Sequence, residues 1–316
     1  MRYFLTTAFK SGKFCVGFFT LSAILLFVFL YPVFSNTDPM AMTGAMFERP
    51  NLSLYLSGEL NNQSEEADPD HAALLAQFGL TLVQSDTPNV LRVLGTDNFG
   101  RDVLAQMVAG TKTSLTIGII SGITATLIGL TVGLLAGYIG GKVDNILTTV
   151  NNIFIVIPSI VVLILITASL STRSFFTTAF ILGITSWPWT ARSVRAQTTS
   201  LRNRDHVNLS RLSGHSIPRI IVKDILPYLA SYVMMAFILQ VVVAILGEAT
   251  LSMLGLGPQN VASLGMMMQW AMLFSALPAG AWWAFIPVLL TIALIAFSLN
   301  IMNSGLDQIF NPQLRS

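Results

Sequence analysis

Long unbroken apolar runs, rather than period-two alternation, organise this chain. Residues 14–34, 115–139, 146–170, 225–246 and 282–302 each form a mostly hydrophobic stretch of 21 residues or more. A helix needs about 20 such residues to cross the roughly 30 Å hydrocarbon layer of a bilayer. A further run, 175–191, is shorter and ends in Trp187-Pro188-Trp189, where the indoles suit a membrane interface. Residues 264–278, with Met266, Met267 and Met268, are too few for a comfortable crossing and read as a re-entrant or interfacial helix. The pattern predicts an all-α integral membrane protein with six spans and both termini on one side.

Polar and small residues inside the runs add detail. Gly129, Gly133 and Gly137 lie four apart on one face of the second run and predict close helix packing. Asn151 and Asn152 place two amides in the third run, and Gln240 places one in the fifth. Each is a candidate polar contact along a solute path or a helix–helix contact. Pro158 removes a backbone donor from the third run and predicts a bend. The first run follows Arg2, Lys10 and Lys13. It is longer than a usual signal-peptide core and no A-x-A site follows, so it reads as a retained anchor.

Composition agrees with the runs. Hydrophobic residues make up 53% of the 316, charged residues only 10%, well below the roughly 25% of a soluble domain. One cysteine, Cys15, excludes an internal disulfide, and His71, His206 and His215 are too scattered to suggest a metal site. The few charges are unevenly placed. Twelve of the 17 basic residues fall on the side assigned as cytoplasmic, and ten of the 15 acids fall on the other. The positive-inside rule therefore predicts cytoplasmic N- and C-termini. The reading divides the chain into 1–34, an N-terminal tail and first span; 35–113, an extracytoplasmic loop or small cap with an acidic middle; and 114–316, a five-helix core.

Seven of the basic residues lie in 192–227: Arg192, Arg195, Arg202, Arg204, Arg211, Arg219 and Lys223. Leu209, Leu212, Ile217, Ile220 and Ile225 are interspersed. Gly214 separates two short helical patterns, Pro218 suits the start of the second, and Pro227 follows. This is a helical hairpin on the cytoplasmic face. Contact with lipid headgroups and docking of a cytoplasmic protein both fit it. No G-x-x-x-x-G-K-[ST] loop, G-x-S-x-G elbow or H-E-x-x-H helix occurs, so no catalytic residue, metal or nucleotide site is assigned. Nothing in the bulk charge supports nucleic-acid binding. Glu248, the one acid at the end of a span, fits an interfacial cap, an arginine partner or a gate residue.

Two motifs carry a family resemblance. Gly95-Thr96-Asp97-Asn98-Phe99-Gly100-Arg101-Asp102 precedes the second run. Gly247-Glu248-Ala249-Thr250-Leu251-Ser252-Met253-Leu254-Gly255-Leu256-Gly257 follows the fifth. With the hairpin ending in Leu226-Pro227, the chain resembles the dipeptide and oligopeptide ABC-transporter permeases, specifically the second permease subunit. The resemblance implies a six-span type I importer permease with a cytoplasmic coupling hairpin in a bacterial or archaeal cytoplasmic membrane. It implies a homologous permease partner and two cytoplasmic ATPases, which would use ATP and Mg. It also implies an extracytoplasmic binding protein, surrounding lipid, and peptide as substrate. Relatives carry nickel complexes, opines or oligosaccharides instead. Arg204, Asn208, Arg211, Gly214, Pro218, Arg219, Lys223 and Pro227 would form the coupling surface. Asn208 stands where the family pattern has Glu, and Leu209 and Ser210 replace two alanines. The motif residues Gly95, Thr96, Asp97, Gly100, Arg101 and Asp102 would shape the outer approach to the second span, and Glu248, Ala249, Leu251, Ser252, Gly255 and Gly257 form the family motif after the fifth.

Overall fold

A computed structural model describes residues 9, 11–35, 37–52 and 91–310. The acidic stretch 58–70, His71, Arg2, Lys10, Arg315 and the tail from Asn311 lie outside the described residues. The fold is all helical: α1 (Gly12–Phe34), α2 (Val103–Ile139), α3 (Gly141–Val156), α4 (Ser159–Ala168), α5 (Phe175–Arg202), α6 (Asp205–Leu212), α7 (Ile217–Ile220), α8 (Leu226–Met253), α9 (Leu264–Leu273) and α10 (Ile286–Phe310). Four starts follow local capping chemistry: Ser11, Asp102, Ser174 and Ser263 each accept a backbone N–H from the first turn of α1, α2, α5 and α9. A π-helical turn, Ile221–Ile225, joins α7 to α8. It falls where Pro227 has no N–H to return to the Lys223 carbonyl.

The six-span expectation does not hold. Among the described residues, four helices are long and apolar enough to cross a membrane, five if the bent α3–α4 pair counts as one. The spans are Gly12–Phe34, Val103–Ile139, Ile217–Met253 and Trp282–Ile309. Two physical reasons account for the difference. The third run breaks at Pro158, and its halves diverge by 80°. The fourth run continues into α5, where Thr177, Thr178, Thr185, Ser186 and Thr190 interrupt its apolar character and Arg192 and Arg195 follow at once. A helix that polar fails as an independent span.

Helix α2 is the hub. Gly129, Gly133 and Gly137 abut α5: a Cβ on Gly133 would sit 2.7 Å from the Ala191 carbonyl and from the Val194 Cβ. Gly118 and Gly122 face α8, where an added Cβ would meet Ile245 and Val241 at 2.7 Å. Lipid competes equally for apolar side chains, so helices in a membrane gain mainly by close van der Waals contact, which small residues permit. Helix α1 packs on α10 by the same device, with Gly17 against Met302 and Gly305 against Phe14. One core cluster gathers Leu115, Val241, Ile245, Leu264, Met267, Trp283 and Ile295. Another lies at the opposite end of α2, where Leu134, Tyr138 and Val194 enclose Val207, Ile220 and Ile225.

Candidate functional site

At the N-terminal end of α2, the Gly95–Asp102 motif folds into a tight knot. The Asp97 carboxylate accepts the Phe99 and Arg101 amides at 2.8 and 2.9 Å, the Arg101 Nε at 2.8 Å and the Gln106 Nε2 at 2.8 Å. Arg101 is buried and pairs with Asp97, with Nη2 2.7 Å from Oδ2, not with Asp102. Its guanidinium lies over the rings of Phe99 and Trp270, 4.4 and 4.0 Å from their centroids. Asp102 caps α2 through the Ala105 N–H at 2.8 Å, and burial holds its carboxyl above the usual carboxylate range. Thr96 donates to the Ala45 carbonyl and accepts the Glu48 N–H, while its own carbonyl accepts the Trp283 indole N–H at 3.1 Å. Gly95 and Gly100 have φ of +66° and +73°, a region that suits glycine.

The second motif closes on the same neighbourhood. Glu248 is 1% exposed. Its carboxylate accepts three serine hydroxyls: Ser114 of α2 at 2.9 Å, Ser252 of α8 at 2.7 Å and the α9 cap Ser263 at 2.6 Å. Ser114 in turn accepts the Leu264 N–H at 3.1 Å. Glu248 is thus an interior junction, with hydroxyl rather than arginine partners. Gly265 lets α9 lie against α8, since a Cβ there would meet Ala249 and Ser252 at 2.7 and 2.8 Å. Gly257 is confined by Ser252 and Met266, and Gly255, with φ of +79°, lies just past the end of α8. Ala249 and Leu251 are buried. The two motifs, about 150 residues apart in sequence, therefore clamp the two ends of α9, Glu248 at its cap and Arg101 on Trp270.

A separate groove of about 660 Å³ runs beside the α3–α4 break, α5 and α8. Phe154, Pro158, Ser186, Trp189, Thr190, Tyr232 and Gln240 line it. Gln240 is the one candidate path amide in this lining. Asn152 accepts Arg192 Nη2 at 3.1 Å, and Asn151 is buried beside Gly133, Ala191 and Arg195. Arg195 grips Asp144 of α3 through Nε and through Nη2, the latter at 2.7 Å. The sequence pointed to Trp189 only as an interface indole, and did not single out Ser186, Thr190 or Tyr232. The available signal was Pro158 and Pro188 in helices rich in hydroxyls, which marks irregular backbone beside a cavity.

At the far end of α2, α6 and α7 form the hairpin. Val207, Ile220, Ile221 and Ile225 anchor it in the core. Gly214 turns the chain at φ +73°, with open space around it. Leu209 and Leu212 stand 63% and 86% exposed beside exposed Arg204, Arg211, Pro218, Arg219, Lys223 and Pro227. Asn208 is half-buried and donates to the Asn203 carbonyl at 3.3 Å. Among the described residues no cluster of His, Cys, Asp or Glu is placed to hold a metal ion.

The profile of the family described as "Binding-protein-dependent transport system inner membrane component" matches residues 129–315. The oligopeptide transport system permease protein OppC of Bacillus subtilis (strain 168) is 32% identical over 222 residues, covering 70% of this chain and 72% of that protein. The dipeptide transport system permease protein DppC of the same organism is 32% identical over 236 residues, covering 73% and 72%. OppC of Mycobacterium tuberculosis (strain ATCC 25618 / H37Rv) is 33% identical over 233 residues, covering 72% and 78%. Among solved structures, an inward-facing conformation of the MetNI methionine ABC transporter contains a similar chain. That chain aligns with a TM-score of 0.51 at 20% identity, over 64% of this chain and 96% of its own length. The likeness at that identity is one of fold.

Proposed function

The chain belongs to the binding-protein-dependent transport system inner membrane components, and from that membership we propose that it is the second permease subunit of a peptide-importing ABC transporter. It is a multi-pass transport subunit. In the proposed assembly it lines half of a translocation path with a homologous permease. Two ATPases power the pair, coupled to this chain through its cytoplasmic hairpin, and an extracytoplasmic binding protein delivers the solute. The relatives whose names specify oligopeptides and dipeptides support peptide as the cargo. The charge asymmetry of the sequence supports cytoplasmic termini.

The observation that carries this reading is the hairpin. Its inner face is locked into the core at Val207, Ile220 and Ile225. Its outer face presents Leu209, Leu212 and Ile217 among four cations, Arg204, Arg211, Arg219 and Lys223. Exposed leucines rimmed by positive charge suit a protein partner, with the apolar residues supplying the contact and the charges the register. A rigid link from this surface through Tyr138 and Val194 to α2 and α5 would carry an ATPase movement to the groove helices. Deleting residues 213–215 should leave membrane insertion intact and abolish co-purification of the ATPases. Wild-type recovery of the ATPases with that variant would refute the assignment. Asn208→Glu restores the family's usual acid and should tighten ATPase binding if an arginine faces it.

A further inference from the structure

The hairpin reaches α8 by two routes, and we infer that the shorter one, the His206 side chain, is the positioning contact that makes α6 and α8 move together. This inference rests on the coupling reading above and deepens it. The longer route is the chain itself. It runs from α6 through the Gly214 turn, the four residues of α7 and the π-helical turn Ile221–Ile225 into α8. The π-helical turn is a weak joint. There the Leu226 N–H bonds the Ile221 carbonyl five residues back, Ile225 departs to φ −108°, and Pro227 has no N–H for the Lys223 carbonyl. A helix is stiff because i→i−4 bonds tie each turn to the next, and it bends where that ladder is broken. Short π-helical turns of this kind recur at functional sites.

His206 crosses the joint from the side. It lies in the first turn of α6, half-buried, next to the fully buried Val207. Val207 packs with Ile220 and Ile225 and so fixes the backbone that carries the imidazole. Nε2 is 3.2 Å from the Asp224 carbonyl, inside the π-helical turn. A carbonyl only accepts, so Nε2 carries the proton and donates. The ring stacks on Tyr228, in the first turn of α8, with centroids 4.6 Å and planes 30° apart. One side chain thus grips the joint and the start of α8 at once. Among the described residues it makes the one side-chain hydrogen bond from α6 to the joint or to α8. The packing of Val207 on Ile220 and Ile225 is apolar and non-directional, whereas a hydrogen bond fixes direction. A movement applied to Leu209 and Leu212 would therefore pass through His206 into α8, which carries Tyr232 and Gln240 to the groove.

The test uses the assembled transporter in lipid nanodiscs. Spin labels are placed at Ser210→Cys on α6 and Leu246→Cys on α8, in a Cys15→Ser chain with cysteine-free partner subunits. The distance between labels is measured with and without a non-hydrolysable ATP analogue, alongside recovery of the ATPases. With His206 in place the analogue should leave the distance unchanged, because α6 and α8 travel as one body. His206→Phe keeps a ring on Tyr228 but has no donor for Asp224. It should retain the ATPases. With the analogue bound, the ratio of complexes at the resting distance to those displaced from it should fall roughly five- to tenfold, the worth of about one hydrogen bond. His206→Gln restores an N–H donor and should recover part of that ratio. If His206→Phe does not fold, Tyr228→Ala removes the other half of the grip at a side chain that is 63% exposed, and should lower the same ratio. A lower melting temperature with an unchanged nucleotide response would overturn the inference, leaving His206 a stabilising role only. A shift already present with His206 in place would also overturn it. So would loss of the ATPases from a folded His206→Phe chain, which would put His206 in the docking surface. Absence of the ATPases from the wild-type complex would overturn the coupling reading and this inference with it.

Discussion

Replacing Glu248 should loosen the α9 clamp by removing the hub of its hydrogen bonds. Glu248→Ala removes the acceptor of three buried hydroxyls, Ser114, Ser252 and Ser263. Hydrogen bonds between membrane helices are worth roughly 0.6–2 kcal/mol each, and bonds to a charged group reach about 1.5–3. Taking about 1–1.5 for each of three, plus about 1–2 for the cavity left at a site 1% exposed, gives a loss of about 4–6 kcal/mol. Glu248→Gln keeps the volume and one acceptor but points an NH₂ at hydroxyls that already accept amide protons from Leu264 and Met266. It should cost only about 1–2 kcal/mol. Thermal unfolding of the purified protein, followed by tryptophan fluorescence, measures both. The alanine variant should melt on the order of 10 °C lower and the glutamine variant a few degrees lower. Ser114→Ala combined with Ser263→Ala should cost a different amount from the sum of the single changes, because both feed one carboxylate. Equal melting of the alanine and glutamine variants, or an alanine variant within about 2 °C of wild type, would refute the junction as a source of stability.

Other consequences follow from the same geometry. Gly133→Val would drive a side chain into the Ala191 carbonyl and Val194, forcing α2 and α5 apart. A loss of about 1–3 kcal/mol is expected in thermal unfolding, while Gly141→Ala, in open space at φ +56°, should show only the smaller cost of its backbone conformation. Arg101→Lys keeps the charge but cannot make the two-point contact with Asp97 while lying flat on Trp270, and should lower stability by about 2 kcal/mol. Trypsin cleavage near Phe99 should accelerate in that variant. Leu209→Asp with Leu212→Asp changes two side chains that are 63% and 86% exposed. It should leave the melting temperature unchanged yet reduce ATPase co-purification at least tenfold, the effect of about 1.4 kcal/mol.

The sequence by itself determined that the chain is helical and lives in a membrane, because unbroken apolar runs of about 20 residues favour lipid and cross it as helices, which satisfy their own backbone polar groups. It also located the glycine face of α2, since a four-residue spacing aligns small side chains on any helix. The turn between α6 and α7 was legible from Gly214, and of the nearby cations Arg204, Arg211, Arg219 and Lys223 are exposed while Arg195 pairs with Asp144. The number of spans was not legible. A hydropathy window averages over Pro158 and over the hydroxyls of α5, whereas the break and the polar helix depend on where lost hydrogen bonds find partners. The roles of single polar residues were likewise decided in three dimensions. Glu248 looked like a residue at the end of a span until α2 and α9 supplied its serines, and Arg101 adjoins Asp102 in the sequence while the loop turns Asp97 toward it. Gln240 and Asn151 are both buried amides in apolar runs. Only the packing of α5 against α8 gives the Gln240 nitrogen the Ser186 carbonyl and Thr190 hydroxyl as partners, while Asn151 lies beside Gly133 and Ala191. Hydrophobicity is a property each residue brings along the chain, but a polar atom's function is set by the partners that folding brings within 3 Å of it.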